Sequence, residues 1–186
     1  MDIIYKITEN DIERHAAIDI MEHVFAVELG YSKIRADTFD HNAVFLIAKC
    51  NGQIVASLRV VPDSELGLPI DAYADISHVR SKKIMLAEVS RLACLKDFRN
   101  RYVAINGISF LKEVLSNMDI THVVIDSFLH SARLYRQLGF KPLGEPIFDS
   151  TIFKEGDAPA PNSLVMYAEV QDLIKKAVNM PATTFA

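Results

Sequence analysis

The segment Glu88-Val89-Ser90-Arg91-Leu92-Ala93 sets three polar side chains inside residues 84–95 (IMLAEVSRLACL), a run otherwise apolar throughout. A strand this apolar on both faces belongs in the middle of a sheet. Polar groups there lose water and must be paired or reach a cavity. Alternation along the strand predicts Glu88, Ser90 and Leu92 on one face and Val89, Arg91 and Ala93 on the other. Two explanations fit. One is a buried ion pair, with Arg59 of the preceding strand as the partner of Glu88. The other is catalytic: burial raises the pKa of a glutamate toward neutrality, where it can act as a general base on an attacking amine. Arginines beside it would bind or orient the substrate, because the guanidinium fork suits carboxylates.

Two further segments could contribute chemistry. Lys96-Asp97-Phe98-Arg99-Asn100-Arg101-Tyr102-Val103-Ala104 runs from the strand into a helix. A helix N-terminus offers free amides and the positive end of a dipole, which suits a phosphate. Arg99 and Arg101 add charge to it. With Lys82, Lys83 and Lys96 they form either a docking patch for an acidic partner or a solvated face. The stretch Ser131-Ala132-Arg133-Leu134-Tyr135-Arg136-Gln137-Leu138-Gly139-Phe140 reads as a short helix closed by Gly139. Tyr135 is either a packing residue or a proton donor to a leaving group.

The elements that must position these residues follow from periodicity and turn signals. Residues 3–7 read as a strand. Asn10 reads as a helix N-cap with Glu13 as its capping-box partner, and the helix runs over 11–29 to Gly30. Residues 31–42 are a loop or a short helix. Strands at 43–50 and 53–61 flank Asn51-Gly52, a hairpin signal because both residues tolerate positive φ. The connection 62–80 is long for a small domain, which marks it as functional or covering a site. Then come the central strand 84–95, a helix at 101–118, a strand at 120–128, a short helix at 131–138, and strands at 140–148 and 164–170. Residues 171–186 read as a terminal helix and frayed tail. This mixture of antiparallel strands with one β-α-β crossover predicts a single α/β (α+β) domain over 1–186.

Composition excludes several classes. The 186 residues are half apolar, enough for one core, and the net charge of −4 argues against nucleic acid. There is no long apolar run and no signal-peptide pattern, which points to the cytoplasm. Cys50 and Cys94 lie in apolar segments and read as reduced, buried thiols. The histidines show no metal-ligand spacing, so no metal is expected.

Taken in order, these pieces resemble the GNAT acyltransferase superfamily, over roughly residues 1–170. LYRQLGF looks like that family's short helix and Gly-Phe turn. The resemblance implies a mixed central sheet flanked by helices, and transfer of an acyl group from a thioester to an amine. Tyr102 stands where common GNATs carry the first glycine of the pyrophosphate loop. A bulky side chain there restricts backbone approach to coenzyme A.

EVSRLACLKDFRNR more narrowly resembles the Glu-x-Ser-Arg-Leu-Ala signature and basic Phe-Arg stretch of N-acyl amino acid synthases. Acyl-homoserine-lactone (autoinducer) synthases share its Glu-x-Ser-Arg core. Asp37 and Asp40 are similar to the Asp-x-x-Asp of the lactone synthases, with Arg35 replacing their preceding acid. Arg59 matches an arginine of both groups, and the absence of tryptophan weighs against the lactone branch. The resemblance implies Glu88, Ser90, Arg91 and Tyr135 in catalysis. It places Arg59, Asp37 and Asp40 at the substrate, with the amides near Leu92, Ala93 and Cys94 on the thioester oxygen. Arg99, Arg101, Tyr102, Val103 and Ala104 would receive the phosphate of a carrier protein's phosphopantetheine or of acyl-coenzyme A. Leu92, Ile108, Leu111 and Phe128 are candidates for an acyl tunnel. The alternatives are an acetyl-coenzyme A-dependent GNAT, a lactone synthase, and a non-catalytic protein that binds an acyl ligand.

Overall fold

The computed structural model describes residues 2–173, except 32, 82, 100–102, 155 and 157, and omits the side chains of 104 and 105. A seven-stranded sheet has the order β1-β2-β3-β4-β5-β7-β6. The strands are β1 (Ile3–Ile7), β2 (Val44–Cys50), β3 (Gln53–Pro62), β4 (Leu86–Cys94), β5 (His122–Phe128), β6 (Lys141–Pro142) and β7 (Ser163–Glu169). Among the described residues only β4 and β5 pair in parallel, joined by helix α2 (Val103–Asn117). Asn51 and Gly52 turn the β2–β3 hairpin with φ of 51° and 82°, as their types demand.

Helices cover both faces. Against one face lie α2 and α3 (Ala132–Gln137), burying Leu111, Leu115, Val123, Ile125, Leu134 and Leu138. Against the other lies α1 (Asp11–Glu22), burying Ala17, Met21, Phe45 and Ile47. The helix expected over 11–29 changes form: after Glu22 it continues as a π-helical segment, His23–Glu28, before Gly30 at φ 79°. Asn10 caps α1 by accepting from the Glu13 amide at 2.9 Å. The reciprocal half of the expected capping box is absent, because the Glu13 carboxylate takes the Glu9 amide, Lys6 and Lys49. The strand expected at 140–148 shrinks to Lys141–Pro142 and a single bridge between Ile147 and Ser163. The terminal helix expected past 171 lies outside the described residues beyond 173. Among the described residues, no helix is long and apolar enough to cross a membrane.

Two irregularities of β4 shape the centre of the molecule. Along β3 the partners are Val61↔Glu88, Val60↔Val89 and Arg59↔Ser90, then Ser57↔Ala93 and Ala56↔Cys94. Leu58 therefore faces two residues, Arg91 and Leu92, which is a β-bulge. Arg91 sits at φ 55°, a sparsely populated conformation for a non-glycine residue. The bulge overturns the simple alternation expected for this strand. Arg91 turns to the face of Glu88 and Ser90, where it reaches Asp37, and Leu92 joins Val89 on the α2 face.

The second irregularity is a splay. β4 pairs with β5 only at Leu86↔His122, Ala87↔Val123 and Glu88↔Val124. Beyond that, β4 stays with β3 as far as Cys94 and β5 stays with β7 as far as Phe128. Glu88 marks the point where the two strands part.

Candidate active site

Glu88 is 2% exposed, and its Oε2 accepts a 2.8 Å hydrogen bond from the Ile70 amide. Burial pushes its pKa up to about 7, with the Ile70 amide and the charge of Arg59 pulling the other way. Ile70 belongs to the long connection between β3 and β4, which folds back over the strand and forms the turn Pro69–Ala72. The arrangement gives a carboxylate poised to exchange a proton near neutrality.

The buried ion pair with Arg59, one of the two explanations for Glu88, does not form: Arg59 pairs elsewhere. Arg59, also 2% exposed, directs Nη1 at Asp37 Oδ1 and Oδ2 (2.8 and 2.9 Å) and at Asp40 Oδ1 (2.8 Å). Its Nε donates to Ser90 Oγ at 3.2 Å. Arg91 Nη2 meets Asp37 Oδ2 at 2.5 Å. Asp37 and Asp40 are held by their own turn, Thr38–His41: the Asp37 amide donates to Asp40 Oδ2 and the Phe39 amide to Asp37 Oδ1. Burial disfavours the charge on Arg59, yet Asp37 and Asp40 hold its pKa above the ordinary arginine value. Burial and the neighbouring Arg59 lower the pKa of Arg91. Two arginines and two aspartates thus neutralise one another in a frame beside the base. Asp40 is behind Arg59, away from the cavity wall.

A cavity of 520 Å³ opens at the splay. Its polar wall includes Asp37, Arg59, Glu88, Ser90 and Arg91. Leu92, Ile108, Leu111 and Phe128, the candidates for an acyl tunnel, all line it, as do Cys94, Val103 and Tyr135. Ala93 is fully buried in the core and does not line it. Burial pushes the Cys94 thiol up to about 11, so it stays protonated at neutral pH. Tyr135 packs edge-on against Phe140 with centroids 5.6 Å apart, and burial raises its hydroxyl to about 12.

Arg99 lines the cavity, but its guanidinium is engaged. Nη2 bonds Glu28 at the end of the π-helical segment, and Nε donates to the Cys94 carbonyl at 2.9 Å. Arg101 and Tyr102 lie outside the described residues, as does the side chain of Ala104. Val103 begins α2, and its carbonyl accepts from the Tyr5 hydroxyl at 2.8 Å.

The polar residues of the cavity wall that escaped sequence reasoning include Tyr73, Asp126 and Asp149. The signal for Asp126 was the one that exposed Glu88, an acid within an apolar strand (HVVIDSF). Asp126 follows Val124, the register partner of Glu88, by two residues, so both acids share a face. Burial pushes Asp126 up to about 7, with Asp149 adding to the rise and the Ser163 hydroxyl opposing it. Tyr73 and Asp149 come from loops and carried no sequence pattern.

The chain matches the family described as N-acyl amino acid synthase FeeM over residues 19–155. A search of curated protein sequences found no match. Among solved structures it is similar to FeeM, an N-acyl amino acid synthase from uncultured soil microbes, at 18% identity and a TM-score of 0.73, covering 91% of this chain and 92% of that one. An acyl-CoA N-acyltransferase from Pseudomonas aeruginosa aligns at 15% identity and a TM-score of 0.66, covering 90% and 99%. The AHL synthase LasI aligns at 14% identity and a TM-score of 0.63, covering 91% and 90%. These likenesses establish the GNAT fold. With the family match spanning most of its length, the chain belongs to the FeeM N-acyl amino acid synthase family and is an N-acyltransferase.

Proposed function

We propose that the protein moves a long-chain acyl group from an acyl carrier protein thioester to the amine of an amino acid or a related small molecule, in the cytoplasm. The observation that carries this reading is Glu88, a buried carboxylate at the apex of the β4–β5 splay, opening on a largely apolar cavity. The thioester enters the gap between the strands. Those backbone amides of Leu92–Cys94 that face the gap polarise its carbonyl oxygen. Glu88 takes a proton from the amine, the nitrogen attacks the carbonyl carbon, and the C–S bond breaks. Tyr135, protonated at neutral pH, gives its proton to the departing thiolate. The acyl chain lies along Leu92, Ile108 and Leu111. The frame of Arg59, Arg91, Asp37 and Asp40 orients the acceptor side of the cavity rather than carrying net charge to it. An acidic carrier docks beside the splay, at the end of β4 where Lys96 is exposed, and that contact weakens with salt; Lys83, also exposed, lies at the opposite end of β4 and outside that contact.

The test is mass spectrometry of the purified protein incubated with acyl carrier proteins, acyl-coenzyme A esters, amino acids and S-adenosylmethionine. An N-acyl amino acid formed from the carrier thioester and not from the coenzyme A esters supports the proposal. Product from acetyl-coenzyme A alone makes the protein a common acetyltransferase. A homoserine lactone product moves it to the autoinducer synthases.

A further inference from the structure

Acylation of an amine by a thioester removes more protons than one base can hold. An amine arrives at neutral pH as an ammonium with three N–H bonds, and the amide product keeps one. Two protons must leave the nitrogen. One restores the thiol of the leaving group and the other goes to solvent. A single carboxylate at Glu88 would have to accept, discharge and accept again within one turnover.

The cavity wall supplies a second acceptor. Asp126 projects on the same face as Glu88, from the strand that parts from β4 at that point. Its Oδ1 is buried and takes no hydrogen bond. The Tyr73 and Ser163 hydroxyls and the Asp149 carboxylate stand beside it, and the charge of Glu88 also reaches Tyr73. Asp149 itself is fixed, since both its oxygens accept from the Thr151 hydroxyl at 2.8 Å. The arginines around the cavity do not compete for Asp126: Arg59 and Arg91 are bound to Asp37 and Asp40, and Arg99 is bound to Glu28; the remaining cation of the described lining, Lys33, is solvent-exposed.

On the reading of the protein as an N-acyltransferase, we propose that Asp126 is a second catalytic carboxylate, which binds the incoming ammonium at the cavity wall and takes its first proton. The N–H bond breaks, its electron pair stays on nitrogen as the nucleophilic lone pair, and Asp126 becomes a carboxylic acid. Glu88 then receives the second proton as the C–N bond forms and the C–S bond breaks; Tyr135 protonates the thiolate and regains a proton from one of the two carboxylic acids, and the other releases its proton to solvent. Tyr73 holds the Asp126 carboxyl in place and is a positioning residue. The pKa of Asp126, raised by burial, suits a group that must both accept and release a proton near neutrality. The class of acceptor follows: a basic amine that enters as a cation.

The proposal separates two nucleophiles. An amino acid arrives protonated and needs both carboxylates. Hydroxylamine is largely unprotonated at neutral pH and needs only Glu88. The experiment compares the wild type, Asp126→Asn, Tyr73→Phe and Glu88→Gln at pH 7, with a long-chain acyl carrier protein or acyl-coenzyme A donor. The acceptors are a mixture of the common amino acids and, separately, hydroxylamine. Thermal melting of each variant monitors the fold.

For Asp126→Asn the expected result is a fall in kcat/KM of at least about tenfold with amino acids, little change with hydroxylamine, and an unchanged donor KM. Tyr73→Phe shows the same bias at smaller size, and it carries the test if Asp126→Asn does not fold. Glu88→Gln loses both activities, each read as the rate above the uncatalysed reaction of the thioester with the same nucleophile. Equal losses on both nucleophiles, or no loss in Asp126→Asn, overturn the assignment while leaving the acyltransferase reading intact. A wild type that acylates neither nucleophile from either donor overturns the acyl-transfer reading and this proposal with it.

Discussion

The backbone N–H of Ile70 donates a 2.8 Å hydrogen bond to Oε2 of Glu88, so a loop holds the strand residue that does the chemistry. The loop is itself braced. Arg80 bonds Asp63 at 2.7 Å and Asp71 at 2.6 Å, and Asp71 accepts from the Leu68 amide at 2.7 Å. The position and acidity of Glu88 therefore depend on residues well removed from the cavity.

Glu88→Gln keeps the shape and the Ile70 hydrogen bond but cannot accept a proton. Turnover is expected to fall by about 10²–10⁴-fold, the usual worth of a general base, with the fold intact by circular dichroism. Full activity in this variant would remove Glu88 from the mechanism.

Gly67→Ala tests the brace from a distance. Gly67 has φ +76°, and an added Cβ would come within 2.7 Å of Asp71 Oδ2. Displacing Asp71 loosens the turn that presents the Ile70 amide. The variant is expected to lose about 1 kcal/mol or more of stability. Its pH–rate profile should shift to higher pH, because the Ile70 bond is what lowers the pKa of Glu88. An unshifted profile in a destabilised protein would limit the brace to a structural role.

Arg59→Met leaves Asp37 and Asp40 facing Arg91 alone. Breaking a buried ion network by removing one partner costs about 3–5 kcal/mol. The expected drop in melting temperature is roughly 10 °C. Arg91→Met should cost less, because Arg91 is 17% exposed at its side chain against 2% for Arg59. A reversed order would place the main anchor at the bulge.

The pH dependence of stability follows from two raised carboxyls. Glu88 rises from 4.5 and Asp126 from 3.8, each to about 7. Between about pH 4 and pH 7 the folded state binds more protons than the unfolded chain, so their contribution is full below pH 4 and is lost as pH rises through 7. The double variant Glu88→Gln, Asp126→Asn should gain on the wild type from pH 5 to pH 8 by on the order of 5 kcal/mol, roughly two pH units for each group at about 1.4 kcal/mol per unit. Denaturant melts across that range measure the gap. A constant gap would mean that neither group is raised.

Tyr135→Phe removes the hydroxyl and keeps the ring on Phe140. The expected outcome is a kcat about tenfold lower with an unchanged acceptor KM. Unchanged kcat with lower thermal stability would make Tyr135 a packing residue.

The elements of this fold were legible because their causes are local. Asn51-Gly52 dictates its own turn through positive φ, Asn10 caps the helix that follows it, and residues 84–95 show their burial in an apolar run. Glu88 was legible for the same reason, as a charge where only a cavity or a partner would tolerate one. The bulge at Arg91 was not, because register depends on β3 and a one-residue slip reverses every side chain after it. Nor was the neutral frame, since Arg59 finds Asp37 across 22 residues of sequence and Arg91 finds it across 54. The sequence by itself determined most of the strands and helices, the strand expected at 140–148 excepted, and that a carboxylate is buried at the centre. The tertiary structure alone decided which charges cancel, where β4 leaves β5, and that Asp126 and Tyr73 share the cavity with Glu88, because contacts between distant segments exist only once the sheet has closed its register.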